Sequence, residues 1–269
     1  MKAILTSLLN QTNATYSDQQ CAWLVTHIGD LDSDIRDQLV FSSFCHGFLD
    51  HCFTNEQMRR IANDVTTKQL LFFGITGQNK DDIYTRTFTA LLGSLMLHVD
   101  KEHAFLSDFE RQTWLAWSIT YLNTEDDWRG FTQEHGWAHG IAHGSDLLTE
   151  AATHPSFSSI QLKQALDTIK NVLYKQTSPF LDDEEERLAR VILAVSSNRK
   201  SDRHHTLNFI KQLNDALWSQ YHTLDANNAA YYRLSAWKRI LMTLYFNDTT
   251  FQVAIKPMIT QYFAEMGMS

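Results

Sequence analysis

The sequence has few of the features that mark secreted or nucleic-acid-binding proteins. Its 269 residues include three cysteines and three prolines, and 23 basic against 31 acidic residues give a net charge of −8. Cys21, Cys45 and Cys52 form no CxxC pair, which favours buried thiols in a reducing compartment over a zinc ribbon or a disulfide framework. No long run of lysine and arginine offers a surface for a phosphate backbone. We therefore expect no nucleic-acid partner.

Long apolar runs are also missing. No segment approaches the roughly 18 consecutive apolar residues that a membrane-spanning helix needs. Near the start, Asn10, Gln11 and Asn13 interrupt the apolar residues that follow Lys2 before the core of a signal peptide could form. We therefore expect a cytoplasmic protein without a membrane partner.

Helical periodicity is what the sequence does have. Hydrophobic residues make up 43% of the chain, enough for an extended core. They recur at spacings of three and four in residues 162–169, 188–195 and 234–244. Three capping-box patterns predict helix starts, namely Ser17 with Gln20, Thr54 with Gln57, and Ser107 with Glu110.

The prolines and the absence of strand alternation complete the prediction of the fold. Pro155, Pro179 and Pro257 predict helix boundaries, because a proline nitrogen cannot donate to the helical ladder. We predict an all-α protein of roughly ten to twelve helices in an α/α solenoid or toroid-like array. A helical array can extend through this length without a break, so residues 1–269 are predicted to form a single all-helical domain.

One segment, residues 133–146, differs from the rest because it holds three histidines and three glycines. If the segment is helical, His135, His139 and His143 lie at i, i+4 and i+8, on one face. Asp146 and Glu150 share that face. The sequence therefore predicts a stripe of imidazole and carboxylate groups along one helix.

Glycines form a second stripe beside the histidines. Gly136, Gly140 and Gly144 would each cost about 1 kcal/mol relative to alanine in a helix interior, so we expect another helix or a ligand to approach the backbone closely there. Trp137 would lie on the opposite face and anchor this helix in the core. The histidine face is thus predicted to be crowded and partly enclosed.

Three interpretations of the histidine stripe follow from its chemistry. His139 and His143 have the H-x-x-x-H spacing that presents two imidazoles to one divalent metal, with Asp146 as an oxygen ligand, and zinc, iron or manganese would suit such a site. Without a metal, His135, His139 or His143 could act as a general acid or base. In the third interpretation the histidines form a structural polar seam satisfied by neighbouring helices. Gly140 stands where the zinc-protease motif has its glutamate.

Residues upstream of the histidines are candidates for binding a substrate. Arg129 is close enough to the predicted helix start to face a bound anion, or it pairs with Asp127 and only pins a loop. Arg86 stands four residues after Asp82, which suits an ordinary helix pair as well as a ligand clamp. We expect substrate-binding roles for Tyr84, Arg86, Asp127 and Arg129.

The same residues resemble a known family. They are Asp82, Tyr84, Arg86 and Phe88; Asp127, Arg129 and Gly130; Gly136-Trp137-Ala138-His139, Ala142-His143 and Asp146; and Glu186-Arg187-Leu188-Ala189. In this set the chain resembles the bacterial family of domain of unknown function 2785, and D-x-R-G followed by G-W-A-H-x-x-A-H-x-x-D is the specific part. Thr87 and Thr89 stand where serine is expected. The resemblance implies a helical protein of about this length and implies no activity.

Two functions of different classes remain open from the sequence. The first is a metal-dependent hydrolase or lyase, in which His139, His143 and Asp146 act on a small polar substrate and Arg86 and Arg129 bind its negative charge. The alternative is a non-catalytic helical-repeat module, or a scaffold with a structural metal, that binds a peptide or protein partner. A deep polar pocket favours the first function, and exposed aromatic residues along one face favour the second.

Overall fold

A computed structural model describes residues 1–198, 203–223 and 228–268, and it confirms the all-α prediction. Twelve α-helices and one two-stranded sheet lie within those ranges. The helices are α1 (Lys2–Leu9), α2 (Asp18–Thr26), α3 (Ser42–Leu49), α4 (Asn55–Thr67), α5 (Asp82–Glu102), α6 (Asp108–Thr124), α7 (Gly140–Thr153), α8 (Ser159–Lys175), α9 (Glu184–Ser197), α10 (Arg203–Thr223), α11 (Asn228–Asn247) and α12 (Gln252–Glu265). A π-helical segment, Asp34–Phe41, runs directly into α3, and strands β1 (Phe131–Thr132) and β2 (Gly136–Trp137) precede α7.

The predicted helix starts at Ser17, Thr54 and Ser107 are confirmed. Each of these side chains accepts the amide N–H of the residue three positions on, and that residue's side chain accepts the cap's own amide. Such caps stabilise a helix by about 1 kcal/mol each. Helices α2, α4 and α6 therefore begin where local hydrogen bonding alone would start them.

The prolines follow the prediction in two cases out of three. Pro155 and Pro179 lie between helices, whereas Pro257 lies inside α12, so the predicted boundary at Pro257 is wrong. In a regular helix residue 257 would donate to the carbonyl of Val253. Val253 is 88% exposed, so water can hydrate the carbonyl that proline leaves without a donor.

The chain divides into two compact units, residues 1–156 and 157–269. In the first unit α5 and α7 form the most extensive helix contact, and α6 packs against α7. In the second unit α11 packs against α8, α9, α10 and α12. Among the described helices, none combines the length and the apolar composition that crossing a membrane requires. The single continuous domain and the solenoid or toroid arrangement stay predictions.

Candidate functional site

The histidine segment is a hairpin followed by a helix, so the prediction of one helix through residues 135–146 is wrong. Strands β1 and β2 pair antiparallel, with Phe131 opposite Trp137, and α7 begins only at Gly140. Gly136 has φ +73° and His139 has φ +55°, both in the left-handed region that interrupts a right-handed helix. His143 and Asp146 therefore lie on α7, while His135 and His139 precede it.

A buried arginine far away in sequence holds the hairpin. The Arg36 guanidinium donates from Nη2 to the carbonyl of His135 at 2.7 Å and to that of Trp137 at 3.4 Å. It lies 4.6 Å from the ring centroid of Tyr84 and 4.7 Å from that of Phe88. Burial lowers the pKa of Arg36 from its ordinary value, an effect that the neighbouring Asp37 opposes. Arg36 thus joins the π-helical segment, α5 and the hairpin.

Tyr84 belongs to this same cluster. Its side chain is buried, and its hydroxyl lies 2.8 Å from Oγ1 of Thr132 in β1. Tyr84 and Phe88 share one face of α5 because they are four residues apart, whereas Arg86 points away from them. The structure therefore places Tyr84 against the hairpin, away from Arg86.

The histidine rings make aromatic contacts near the start of α7. His139 stacks on Trp137 with ring centroids 4.2 Å apart, and the centroids of His139 and His143 are 5.3 Å apart. His135 packs edge-on against Tyr84. Trp137 is 38% exposed, so the prediction that it anchors a helix in the core is wrong. Two of the three predicted histidines are thus neighbours, and His135 lies apart with Tyr84.

The residues of the predicted metal site are only partly brought together. His139, His143 and Asp146 all lie in or beside the first two turns of α7. Within the described ranges, no group of three or more histidine, cysteine, aspartate or glutamate side chains is placed so that it could hold a metal ion. Zinc, iron or manganese at this position stays a prediction.

Two glycines of the predicted stripe allow α7 to approach its neighbours. A Cβ at Gly140 would lie 2.6 Å from the carbonyl oxygen of Asp127, and one at Gly144 would lie 2.7 Å from Cδ2 of Leu122. The close approach predicted from these glycines is therefore confirmed, and its partners are α6 and the segment that follows it. The start of α7 is packed directly behind residues 125–127.

A cavity of about 400 Å³ is lined in part by residues 125–127. Its walls are the loop of residues 74–80, the segment of residues 125–129 and the side chain of Arg86 from α5. Three of the four predicted substrate-binding residues, Arg86, Asp127 and Arg129, line it together. Tyr84 and the three histidines are not among its lining residues.

Arg86 and Glu125 form a buried ion pair at this cavity. Nε of Arg86 donates to Oε2 of Glu125 at 2.7 Å, and Nη2 donates to Oε1 at 3.0 Å. Arg86 is 4% exposed and Glu125 is 1% exposed. Burial alone would lower the pKa of Arg86, but Glu125 outweighs it and raises that pKa. Arg86 therefore pairs with Glu125 rather than with Asp82, the partner suggested by sequence spacing.

Arg129 and Asp127 form the second ion pair of the cavity. Nε of Arg129 lies 2.9 Å from Oδ1 of Asp127, and Nη2 lies 2.7 Å from Oδ2. Nη2 also donates to the carbonyl of Lys80, which ties residues 125–129 to the opposite wall. Asp127 raises the pKa of Arg129. Arg129 therefore pairs with Asp127 and fixes the loop, which was one of the two predicted alternatives. The loop that it fixes is also a wall of the cavity.

Several residues that shape the site carried no signal in the sequence. Glu125 stands directly after α6, and its partner Arg86 is 39 residues away. Arg36 is 99 residues from His135. The positive φ of Gly136 has a local signal, since glycine after a three-residue turn is typical of a hairpin. The ion pair and the Arg36 cluster depend on tertiary contacts that no local pattern records.

Comparison with known proteins gives a family and no characterised relative. The family model described as "Protein of unknown function (DUF2785)" matches residues 71–246, which confirms the resemblance carried by residues 82–189. No curated protein and no solved structure matches the chain. The cavity residues all lie within the matched range, and Arg36 lies outside it.

Proposed function

Because that match covers more than half of the chain, this protein belongs to the family DUF2785, and we propose that it binds a small anionic ligand in the cavity beside Arg86. The observation that carries the proposal is that three basic residues, Arg86, Arg129 and Lys80, line one cavity. Three acidic residues, Glu125, Asp126 and Asp127, line it as well.

Arg86 retains hydrogen-bond donors after its own contacts are made. A guanidinium has five N–H groups. Nε and Nη2 each donate to Glu125, and Nη1 donates to the carbonyl of Phe73 at 3.0 Å. One N–H on each terminal nitrogen of Arg86 is left for a ligand. A planar pair of donors suits the two oxygens of a carboxylate or phosphate.

Arg129 and Lys80 add to the attraction for an anion. The contacts of Arg129 with Asp127 and Lys80 use Nε and Nη2, which leaves Nη1 for a ligand. Lys80 is exposed, and its ammonium forms no salt bridge with any residue that the structure describes. Arg86 and Arg129 are balanced by Glu125 and Asp127, and Lys80 and Asp126 are the two charged lining residues left outside these pairs. Lys80 therefore attracts an anion locally, although the formal charges of the lining sum to zero.

The size and shape of the site favour a small molecule over a peptide. A cavity of about 400 Å³ is at the lower end of the range for small-molecule sites. The two ion pairs hold its walls before any ligand arrives, so little conformational entropy is lost on binding. The site is built to hold a compact carboxylate or phosphate compound.

Isothermal titration calorimetry with inorganic phosphate and a set of small mono- and dicarboxylates tests the proposal. We expect at least one of these anions to bind the wild-type protein, and Lys80→Ala to weaken its binding by about tenfold. Lys163→Ala is the matched control, because Lys163 is another exposed lysine without a salt bridge in the described ranges. If no anion binds, or if Lys163→Ala has the same effect as Lys80→Ala, the proposal is wrong.

A second candidate function rests on the imidazole pair at the start of α7. The 5.3 Å between the ring centroids of His139 and His143, with Asp146 less than one turn further along the helix, supports a divalent metal or a proton-transfer site there. Zinc, iron or manganese would supply the chemistry of a hydrolase or lyase acting on a small polar substrate.

Elemental analysis of protein purified without a histidine tag tests the metal. Near-stoichiometric metal in the wild type, lost in both His139→Ala and His143→Ala, would support the second candidate. His205→Ala is the control, because His205 is exposed on α10. Absence of metal from wild-type protein refolded or incubated with each of the three ions would exclude a metal site at these histidines.

A further inference from the structure

A thiol, an imidazole and a phenol form a chain of contacts in the part of the protein that precedes the family match. Sγ of Cys52 lies 3.4 Å from Nε2 of His46, and Nδ1 of His46 lies 3.0 Å from the hydroxyl of Tyr16. His46 is on α3, Cys52 is in the turn that follows α3, and Tyr16 precedes α2. A nucleophile beside a base that a third group orients is the arrangement that activates cysteine in proteins.

Tyr16 is fixed in place, so it can fix His46. Its ring is buried and packs edge-on against Phe53 with centroids 4.9 Å apart. Gln57 of α4 donates to the Tyr16 carbonyl at 2.7 Å. Burial raises the pKa of Tyr16, so its phenol stays protonated and can serve as either donor or acceptor to Nδ1.

A backbone carbonyl lies beside the other imidazole nitrogen. The Gln11 carbonyl oxygen lies 3.1 Å from Nε2 of His46. A proton on Nε2 can be donated to this oxygen. In the doubly protonated ring, Nδ1–H donates to the Tyr16 oxygen and Nε2–H faces both the Gln11 carbonyl and the Cys52 sulfur. A positive charge beside a cysteine favours its thiolate in proteins, and the doubly protonated ring would bring such a charge next to Cys52.

The other two cysteines lie in different surroundings. Burial raises the pKa of Cys21 to about 11, and burial also raises the pKa of Cys45. No hydrogen bond from a histidine to either sulfur is present in the described structure. The chain therefore contains one thiol with an imidazole partner and two that serve as references within the same molecule.

We propose that Cys52 is a modification site at which a hydroperoxide oxidises the thiolate, with His46 as the proton donor. Cys52 is 7% exposed as a residue and His46 is half-buried, so the oxidant must be as small as hydrogen peroxide. The thiolate attacks one peroxide oxygen, forming an S–O bond as the O–O bond breaks. The departing hydroxide takes the Nε2 proton of His46 and leaves as water. Cys52 becomes a sulfenic acid, oxidised by two electrons, and the peroxide is reduced.

The test follows the three cysteines in one sample of the full-length protein. The protein is treated with hydrogen peroxide, sulfenic acid is trapped with dimedone, and the rate at each cysteine is measured by peptide mass spectrometry. We expect Cys52 to react at least about tenfold faster than Cys21 and Cys45. Equal or slower reaction at Cys52 in the wild type would overturn the proposal without any variant.

A variant then tests the role of His46. His46→Gln replaces the imidazole with an amide of similar size that cannot carry a positive charge. The rate of oxidation at Cys52 should therefore fall to that at Cys45. Unchanged rates at Cys21 and Cys45 show that the fold is intact, because unfolding would raise all three. A Cys52 rate that is unaffected by His46→Gln in folded protein would also overturn the proposal. Because anion binding in the cavity does not enter this test, the two proposals can fail separately.

Discussion

Arg86 and Glu125 face each other in a two-point ion pair, at 2.7 Å and 3.0 Å, with both side chains buried. Arg86 comes from the second turn of α5, and Glu125 is the residue that ends α6. Glu125 also accepts the amide N–H of Asp127 at 3.0 Å. The pair therefore determines where the chain leaves α6, and with it the position of Asp127 and Arg129 in the cavity wall.

Removing one partner of this pair should be costly. We expect Glu125→Ala to lower the free energy of unfolding by about 3 kcal/mol, because it leaves the Arg86 charge buried without compensation. Urea denaturation measures the loss. Glu56→Ala is the control, since Glu56 also pairs with an arginine, Arg60, but is largely exposed, and its loss should stay within about 0.5 kcal/mol. Equal losses in the two variants would contradict the importance of burial here.

The hairpin before α7 should depend on Arg36. Arg36→Met keeps an apolar stem between Tyr84 and Phe88 but removes the donors to the His135 and Trp137 carbonyls. The hydrogen bond from the Ala138 amide to the Gly130 carbonyl closes this hairpin. We expect hydrogen exchange at the Ala138 amide to accelerate by about tenfold or more.

The control for Arg36 is an arginine on the surface. Arg60→Met removes an exposed guanidinium of α4 that pairs with Asp18 and Glu56. It should leave exchange at Ala138 unchanged. Equal protection of the Ala138 amide in wild type and Arg36→Met would show that the hairpin holds its conformation without the buried guanidinium.

Gly140 should resist replacement by alanine although alanine favours helix. Gly140 is the first residue of α7, so the gain in helix propensity stays below the roughly 1 kcal/mol of a helix interior. The new Cβ would lie 2.6 Å from the Asp127 carbonyl oxygen, which is backbone and cannot rotate away. We expect Gly140→Ala to lower the free energy of unfolding by about 1–3 kcal/mol, measured by urea denaturation. A variant as stable as the wild type would mean that residues 125–127 can move away from α7.

The free energy of unfolding of the first unit should depend on pH through the ionisation of Asp100. Burial alone would raise the pKa of Asp100, but hydrogen bonds from His154, Arg111 and the backbone hold it well below its ordinary value. A carboxyl group that binds its proton more weakly when folded stabilises the fold above its unfolded pKa of about 3.9. This stabilisation is lost as the pH falls from the unfolded-state pKa through the lower pKa that Asp100 has in the folded protein.

Asp100→Asn tests this dependence. At pH 7 and pH 5 we expect it to lower the free energy of unfolding by about 2 kcal/mol or more, and at pH 3 the difference from wild type should shrink. Asp108→Asn is the matched control, because Asp108 pairs with the same Arg111 while its side chain is fully exposed. A difference that is the same at all three pH values would contradict the assignment to ionised Asp100.

Local interactions determined what the sequence could predict. Helix starts at Ser17, Thr54 and Ser107 depend on bonds that span three residues, so their patterns are complete within the sequence. The crowding of Gly144 was also predictable, because a glycine inside a helix indicates close packing. Arg86, Asp127, Arg129 and Tyr84 were predicted together as substrate-binding residues, and the cavity is lined by the first three but not by Tyr84.

Tertiary structure decided the rest, because it depends on contacts between residues that are far apart in the chain. Histidines at i, i+4 spacing are compatible with a helix, but Gly136 has a left-handed backbone, and Arg36, about a hundred residues earlier, bonds the carbonyls on both sides of it. Glu125 pairs with Arg86 because α6 ends beside α5, and that proximity is a tertiary contact. Periodicity records which face of a helix is apolar, and it contains no information about which distant charge will be buried against it.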